Sequence, residues 1–198
     1  MFNLTLKQLL ELKYWLNCDR HAGELALRDA YLKVFGLDRL DLTRHEVLEV
    51  GTGPFWGLLP VIDCARKVGV DSLYDAYHHL NLLDERNGIL MVAEPFESWE
   101  TNDQFDVIVT TNALDHGEMG FYLVPKLWRM LKRGGRLYIH VHLRPPDMLN
   151  LIHDHSLTEA QLDRHLSYTD LVEVSRTIYP KDVDGAFCET LVGVWNKP

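Results

Sequence analysis

The stretch HEVLEVGTGPFWGLLP, residues 45–60, decides the fold. It begins with a run of strand-forming residues that ends on a carboxylate, Glu49, and on Val50. Two glycines, Gly51 and Gly53, follow at once. Because a missing Cβ lets a ligand approach the backbone, a buried strand followed by such a turn predicts a site for a nucleotide-like cofactor.

Strand-like and helix-like patterns alternate along the chain around and beyond this stretch. Five strands are predicted, at 46–50, 68–72, 88–93, 105–111 and 136–143. Three helices are predicted between them, at 57–68, 73–85 and 121–133. Short apolar strands separated by helices indicate parallel strands joined by crossovers.

The C-terminal part of the chain has a different pattern. The segment SLTEAQLDRHL, residues 156–166, predicts a helix that is capped by Ser156 or Thr158. Two strand-like runs follow, 171–180 and 187–198, and a short turn-rich link joins them. Together they predict a hairpin, and so one antiparallel strand ending an otherwise parallel sheet.

Two helices are predicted before the first strand. The first carries leucines at helical spacing over residues 9–16, and the second, over 25–34, is stopped by Gly36. These helices either form a lid over the cofactor site or simply pack on the edge of the sheet. The aromatic side chains that would form such a lid are Tyr14, Trp15 and Tyr31.

The length of 198 residues suits one domain. With the strand–helix pattern and the glycine turn, we expect one α/β domain over residues 1–198, with an N-terminal helical cover (1–44) and a cofactor-binding core (45–198). A net charge of -9 disfavours nucleic acid as a partner. Three cysteines without paired spacing suit a reducing compartment. We find neither a targeting signal nor an apolar run of about 18 residues, so no membrane contact and a cytoplasmic location are expected.

The residues around the first strand also indicate which kind of cofactor is bound. Asp71 comes about 20 residues after Gly51, the spacing at which a carboxylate accepts hydrogen bonds from ribose hydroxyls in dinucleotide sites. No Gly-Lys-Ser/Thr sequence follows the loop, and GTGPFWG lacks the spacing of a pyrophosphate loop. Glu49 would repel a pyrophosphate, whereas it would suit a ligand with a cationic amine.

Five motifs then resemble those of one enzyme family, in the family's order. VLEVGTGPFWGLLP (47–60) resembles the first motif of the class I S-adenosylmethionine-dependent methyltransferases, an acidic residue followed by Gly-x-Gly. The second to fifth motifs are matched by VGVDSLYDAY (68–77), MVAEPFESW (91–99), FDVIVTTNALDH (105–116) and LWRMLKRGGRLYIHVH (127–142). The likeness reaches the final hairpin. It implies a three-layer, Rossmann-like sandwich with a seven-stranded sheet, in the type 11-like small-molecule group.

The resemblance also implies S-adenosylmethionine as the cofactor. In the family's pattern Asp71 binds the ribose, Ala93 and Glu94 lie near the adenine, and Asn112 lies beside the cofactor. The predicted cofactor-binding residues are Glu49, Gly51, Gly53, Asp71, Ala93, Glu94 and Asn112.

One position departs from the family's pattern. The family often has a third glycine two residues after the second, where this chain has Phe55. Either Gly57 takes over after a small loop insertion, or Trp56 covers the cofactor.

The implied reaction transfers a methyl group from a sulfonium to a nucleophile, which requires in-line placement and exclusion of water more than a strong acid or base. A nearby base helps if the acceptor is a hydroxyl. His116, just beyond the fourth strand, is the first candidate, unless it only precedes the helix that begins near Met119. His142 is the second. We expect a small-molecule acceptor with an oxygen or nitrogen nucleophile; the sequence leaves the oligomeric state open.

Several histidines could hold a metal instead. His140 and His142 share one face of the fifth predicted strand, and His153 and His155 follow in a loop. With a carboxylate such as Asp115 they could form a metal site, but their spacing matches no tight zinc pattern. A substrate-facing loop explains them better than a metal site, ordinary solvated or hydrogen-bonded histidines are the commonest explanation, and no metal is predicted.

Two other functions stay open at this stage. The first is a non-catalytic S-adenosylmethionine-binding or partner subunit, which the altered glycine loop favours. The second is an NAD(P)-dependent oxidoreductase on a similar sheet, against which Glu49 counts.

Overall fold

A seven-stranded sheet forms the centre of the computed structural model. Its strands are β1 (Glu46–Val50), β2 (Arg66–Val70), β3 (Ile89–Val92), β4 (Phe105–Thr111), β5 (Leu131–His142), β6 (Val172–Tyr179) and β7 (Thr190–Asn196). They lie in the order β3-β2-β1-β4-β5-β7-β6. The structure describes residues 4–17, 24–55, 57–83, 88–115, 120–144, 146–148, 156–180 and 188–198.

Five α-helices accompany the sheet within the described residues. They are α1 (Leu6–Asn17), α2 (Glu24–Phe35), α3 (Tyr74–His79), α4 (Val124–Met130) and α5 (Glu159–Leu166). None of these helices is both long and apolar enough to cross a membrane.

The order of the strands reverses beside β1. This strand pairs in parallel with β2 on one side and with β4 on the other, so that Val50 lies opposite both Val70 and Thr110. The chain runs outward from β1 to β3 and then returns to β4, on the other side of β1. Such a switch point opens a crevice at the carboxyl ends of the strands.

The C-terminal hairpin is confirmed. β7 pairs antiparallel with β5 on one side and with β6 on the other. It is therefore the one antiparallel strand of the sheet described here, and β6 forms the sheet edge. The pairing of His142 with Thr190 fixes where β5 ends, which matters for the site described below.

Both faces of the sheet are covered by apolar side chains. Leu48 and Val50 of β1 point to one face, where the core includes Leu127 of α4 and Leu162 of α5. Val47 points to the other face, into a core that includes residues of α2. The central strands are buried on both sides, which is why they appear in the sequence as continuous apolar runs.

The helix predicted over residues 57–68 is wrong. The chain makes a single turn there, in which the Ile62 amide donates to the Leu58 carbonyl at 3.1 Å. Pro60 supplies no amide hydrogen to extend this turn. Residues 66–68, counted toward the helix, belong to β2 and pair with β1 from Glu46 onward. Strand pairing thus overrides the local helical pattern.

The ends of the other helices follow local signals. Gly36, at φ 68°, ends α2 as predicted. At α5 the cap is Thr158, whose hydroxyl accepts from the Gln161 amide at 3.3 Å while the Gln161 side chain accepts from the Thr158 amide at 2.8 Å. α3 ends at His79, well before the predicted end at 85, and residues 84 and 85 lie outside the described part of the chain.

Candidate functional site

A cleft of about 450 Å³ lies at the carboxyl ends of the parallel strands, at the switch point beside β1. Its volume is in the range of small-molecule and cofactor sites. Five strand ends or the loops after them contribute to its walls, together with the first two helices. The lining residues are 50–53, 70–72, 95–97 and 111–114, Leu123, His142 and Arg144 at and just after the end of β5, and Glu11, Tyr14, Trp15 and Tyr31 of α1 and α2.

Gly51 lies where the loops after β1 and β4 touch. Its φ is 73°, and a Cβ placed on it would come within 2.1 Å of the Ala113 Cβ. Its amide donates to the Val70 carbonyl at 2.8 Å, which continues the pairing of β1 with β2 past the end of β1. Only glycine fits here, because a side chain would push the β4 loop away.

Asp71 and Gly53 form the wall of the cleft at the end of β2. The Gly53 amide donates to one carboxylate oxygen of Asp71 at 2.8 Å, and the Leu73 amide donates to the other at 2.9 Å. The carboxylate therefore fixes the glycine loop and still faces the cleft.

Glu49 lies behind the cleft rather than in it. Its side chain is fully buried and accepts from the backbone amides of Leu58 at 2.8 Å and Leu59 at 3.1 Å. In this geometry Glu49 does not face the cleft, so the expected direct contact between its carboxylate and a ligand amine is not available. A buried carboxylate needs hydrogen-bond donors, and the turn after the glycine loop supplies them.

Phe55, which stands at the place of the family's third glycine, does not line the cleft. Phe55 is buried and packs against Trp15, with the ring centroids 5.8 Å apart, away from the cleft lining. A Cβ on Gly57 would lie 3.1 Å from a carboxylate oxygen of Glu49, so Gly57 allows the turn to approach that carboxylate. Trp56 lies outside the described residues.

The turn after β3 contributes to the cleft slightly later than predicted. Ala93 and Glu94 are exposed and do not line it, whereas residues 95–97 do. The largely buried Lys126 of α4 holds this turn, because its ammonium donates to the carbonyls of Phe96 at 2.8 Å and Glu97 at 3.1 Å. Sequence reasoning missed Lys126, since a lysine within an apolar helix gives no sign of what it binds.

Asn112 connects the cleft to the N-terminal helices. Its backbone has a φ of 51°, and its side-chain amide donates to the Tyr31 hydroxyl at 3.2 Å. The Asn112 side-chain oxygen lies 2.9 Å from Nδ1 of His140, against which the Tyr31 ring packs at 4.7 Å. α2 therefore contacts the floor of the cleft rather than only the edge of the sheet.

α1 covers the cleft on the β2 side. Trp15 lies over Gly53, because a Cβ on that glycine would be 3.4 Å from the Trp15 ring. The Tyr77 hydroxyl of α3 donates to the Glu11 carboxylate at 3.4 Å. Burial, with the nearby Asp71 and Glu11 carboxylates, raises the pKa of Tyr77 well above its ordinary value, so the phenol stays a hydrogen-bond donor.

The end of β5 forms the opposite wall. His142 lines the cleft, and its Nδ1 lies 4.0 Å from a carboxylate oxygen of Asp115, which is fully buried. Nε of Arg144 lies 3.6 Å from the same carboxylate oxygen. His116, the first predicted base, lies outside the described residues, as do His153 and His155.

Charges are divided between the two walls. Glu11, Asp71 and Glu97 supply carboxylates on the side of β1 to β3, and Arg144 is the one lysine or arginine among the described lining residues. Over the same part of the chain, no group of three or more His, Cys, Asp and Glu side chains is placed to hold a metal ion. Nothing basic in the described lining near Gly51 favours a pyrophosphate.

Solved methyltransferases resemble this structure over nearly the whole chain. N-methyltransferase NodS from Bradyrhizobium japonicum WM9, in complex with S-adenosyl-L-homocysteine, has a TM-score of 0.69 at 19% identity, over 97% of this chain and 99% of that one. The complex between the Haloferax volcanii Trm112 methyltransferase activator and a candidate methyltransferase gives 0.70 at 13%, over 100% of both chains. The plantazolicin methyltransferase BpumL, with a triazolic desmethylPZN analog and SAH, gives 0.61 at 13%, over 98% and 96%.

No family model and no curated protein matches the sequence. At these identities the structural likeness establishes the fold. It is the Rossmann-like α/β sandwich that these solved methyltransferases adopt, as the motifs predict.

Gly51→Ala should destabilise the protein more than the matched change Gly134→Ala. Both glycines have a positive φ, 73° and 76°, so both changes carry the same backbone cost. An added Cβ meets Ala113 at position 51 and nothing within 4 Å at position 134. Urea unfolding should show an extra loss of about 1–3 kcal/mol for Gly51→Ala. Equal losses would contradict the close approach of the two loops.

Glu49→Gln should lower the free energy of unfolding of the ligand-free protein by about 2 kcal/mol, because an amide replaces a carboxylate that accepts two backbone hydrogen bonds. The exposed Glu189→Gln is the control and should change little. A Glu49→Gln protein of unchanged stability that had lost only ligand affinity would show that Glu49 contacts the ligand directly.

Proposed function

We propose that this protein is an S-adenosylmethionine-dependent methyltransferase that acts on a small-molecule acceptor with an oxygen or nitrogen nucleophile. The observation that carries the proposal is the contact of Gly51 with Ala113 beside Asp71, in a cleft at the switch point of this fold. The complex of the similar protein NodS with S-adenosyl-L-homocysteine supports the same cofactor here.

The residues present fit this cofactor. Asp71 would accept hydrogen bonds from the ribose hydroxyls, and the turn that Ala93 and Glu94 begin would enclose the adenine with Phe96. Gly51 and Asn112 would lie along the methionine part. Gly53 and Glu49 would act through the loop that they shape and hold.

When bound, S-adenosylmethionine supplies an electrophilic methyl group, and the electrons of the broken carbon–sulfur bond stay on sulfur. The task of the chain is to place the acceptor in line and to exclude water. α1 and α2 serve the second purpose, because Trp15 and Tyr31 line the cleft.

His142 is our candidate for the base that accepts the proton of the acceptor. It lies in the cleft wall, and a carboxylate oxygen of the buried Asp115 lies 4.0 Å from its Nδ1, on the side of the ring away from a base at Nε2. His116, which lies outside the described residues, remains the alternative base that the sequence predicts.

Two observations weigh against the other functions. Within the described lining, the glycine loop faces carboxylates and no cation, which disfavours the pyrophosphate of NAD(P). Phe55 packs against Trp15 and does not line the cleft, so this residue gives no support to a subunit without turnover. The similar structure from Haloferax volcanii is a complex with an activator, and a need for such a partner is an outcome that the assay below can reveal.

Calorimetric titration of the purified protein with S-adenosylmethionine, S-adenosylhomocysteine and NAD tests the proposal. We expect both sulfur ligands to bind and NAD not to bind. Asp71→Asn should weaken S-adenosylhomocysteine on the order of 10- to 100-fold, because it replaces a charged acceptor of ribose hydrogen bonds. The exposed Asp75→Asn, a few residues further on, is the matched control and should bind as the wild type does.

Binding of NAD alone would overturn the proposed cofactor in favour of an oxidoreductase. Unchanged affinity of Asp71→Asn would overturn the placement of the ribose. Tight binding of S-adenosylmethionine without turnover on any acceptor, even with an added activator, would favour the non-catalytic subunit.

A further inference from the structure

We propose that the acceptor carries an acidic oxygen group, a carboxylate or a phosphate, and that Arg144 binds this group beside His142. The inference rests on the proposed function and adds the chemical class of the acceptor. It comes from Arg144 in the wall at the end of β5, a residue that has no role in the proposed binding of S-adenosylmethionine.

The backbone fixes Arg144 in this wall. Its amide donates to the Leu157 carbonyl, and the Leu157 amide donates back, each at 2.8 Å. This pair of bonds is an isolated antiparallel bridge, two residues beyond the end of β5 at His142. The Arg144 side chain lines the cleft and is only 13% exposed.

The buried guanidinium has donors to spare. Its Nε is fully buried and makes no hydrogen bond in the described part of the structure, because the Asp115 oxygen at 3.6 Å is beyond that distance. Asp115 balances the charge of Arg144 without accepting that hydrogen bond. A guanidinium carries five N–H donors, and burying donors without acceptors is costly. Two oxygens of an acidic ligand would accept from the two Nη groups in the planar, two-pronged geometry that arginine favours, while Nε stays against Asp115.

The spacing of Arg144 and His142 indicates that the acid group bound by Arg144 belongs to the acceptor rather than to the cofactor. The two residues alternate along one strand direction and face the same cleft, with their Cα atoms about 7 Å apart. Asp71 follows β2, three strands away, which is about 14 Å across the sheet. An acid group held by Arg144 therefore places a nucleophile a few bonds away in front of His142.

A carboxylate also exists in the methionine part of the cofactor, and the experiment must separate the two sources. Arg144→Gln should leave the affinities for S-adenosylhomocysteine and for 5′-methylthioadenosine, which lacks the amino-acid part, unchanged. A selective loss of S-adenosylhomocysteine affinity would assign Arg144 to the cofactor and overturn the inference. A loss of both ligands would point to the proposed cofactor site itself.

The decisive titration uses protein saturated with S-adenosylhomocysteine. Benzoate, its neutral counterpart benzamide, and inorganic phosphate are the probes. We expect an anion to bind, benzamide to bind at least 10-fold more weakly, and Arg144→Gln to reduce anion affinity on the order of 10- to 100-fold. Preference for benzoate indicates a carboxylate acceptor, and preference for phosphate indicates a phosphate ester.

Two variants keep the test interpretable. Arg144→Lys should retain part of the anion affinity, because it keeps the charge but loses the two-pronged geometry. The exposed Arg133→Gln, near the start of β5, should bind as the wild type does. Equal binding of benzoate and benzamide, binding of neither anion, or undiminished anion binding by Arg144→Gln would overturn the inference, while intact binding of S-adenosylhomocysteine leaves the proposed function standing.

Discussion

The contact between Gly51 and Ala113 is the constraint on which the rest of the site depends. It brings together the loops after β1 and β4, the two neighbouring strands at which the sheet order reverses. Because a Cβ at Gly51 would overlap with Ala113, the cleft keeps its shape only while this position is glycine. Asp71 on one side and Asn112 on the other then face the same space.

Two carboxylates near the cleft, those of Glu49 and Asp71, accept hydrogen bonds from backbone amides of the chain itself. Glu49 binds the turn at Leu58 and Leu59, and Asp71 binds Gly53 and Leu73. Both interactions fix the loop after β1 and so make the site rigid. The proposed reaction depends on such rigid placement of donor and acceptor more than on a strong acid or base. The second wall is different, since the guanidinium of Arg144 faces the cleft there beside His142. The cleft thus has an acidic side that suits the proposed donor, and an opposite wall on which Arg144 is placed to bind an acidic acceptor.

The fold could be predicted because its signals are local and repeated. β1 and β4 have the predicted bounds, and Gly51, Gly53, Asp71, Asn112 and His142 all line the cleft, because residues at the carboxyl ends of parallel strands meet there. The helix over 57–68 failed because pairing of Arg66 onward with β1 is a long-range interaction that no local pattern reveals. Glu49 and Lys126 bind backbone groups 9 to 30 residues away along the chain. No local sequence pattern predicts these partners either. The position of Arg144 in the cleft wall could have been predicted, since it follows His140 and His142 at the two-residue spacing of one strand face.

The central claim is that S-adenosylmethionine lies across this cleft with its nucleoside at Asp71 and its sulfur toward β5. A crystal structure of the complex with S-adenosylhomocysteine tests it most directly. The account predicts ribose hydroxyls on the Asp71 carboxylate, the adenine against Phe96 and the sulfur facing His142. A ligand bound in the reverse direction, or outside the cleft, would contradict the account.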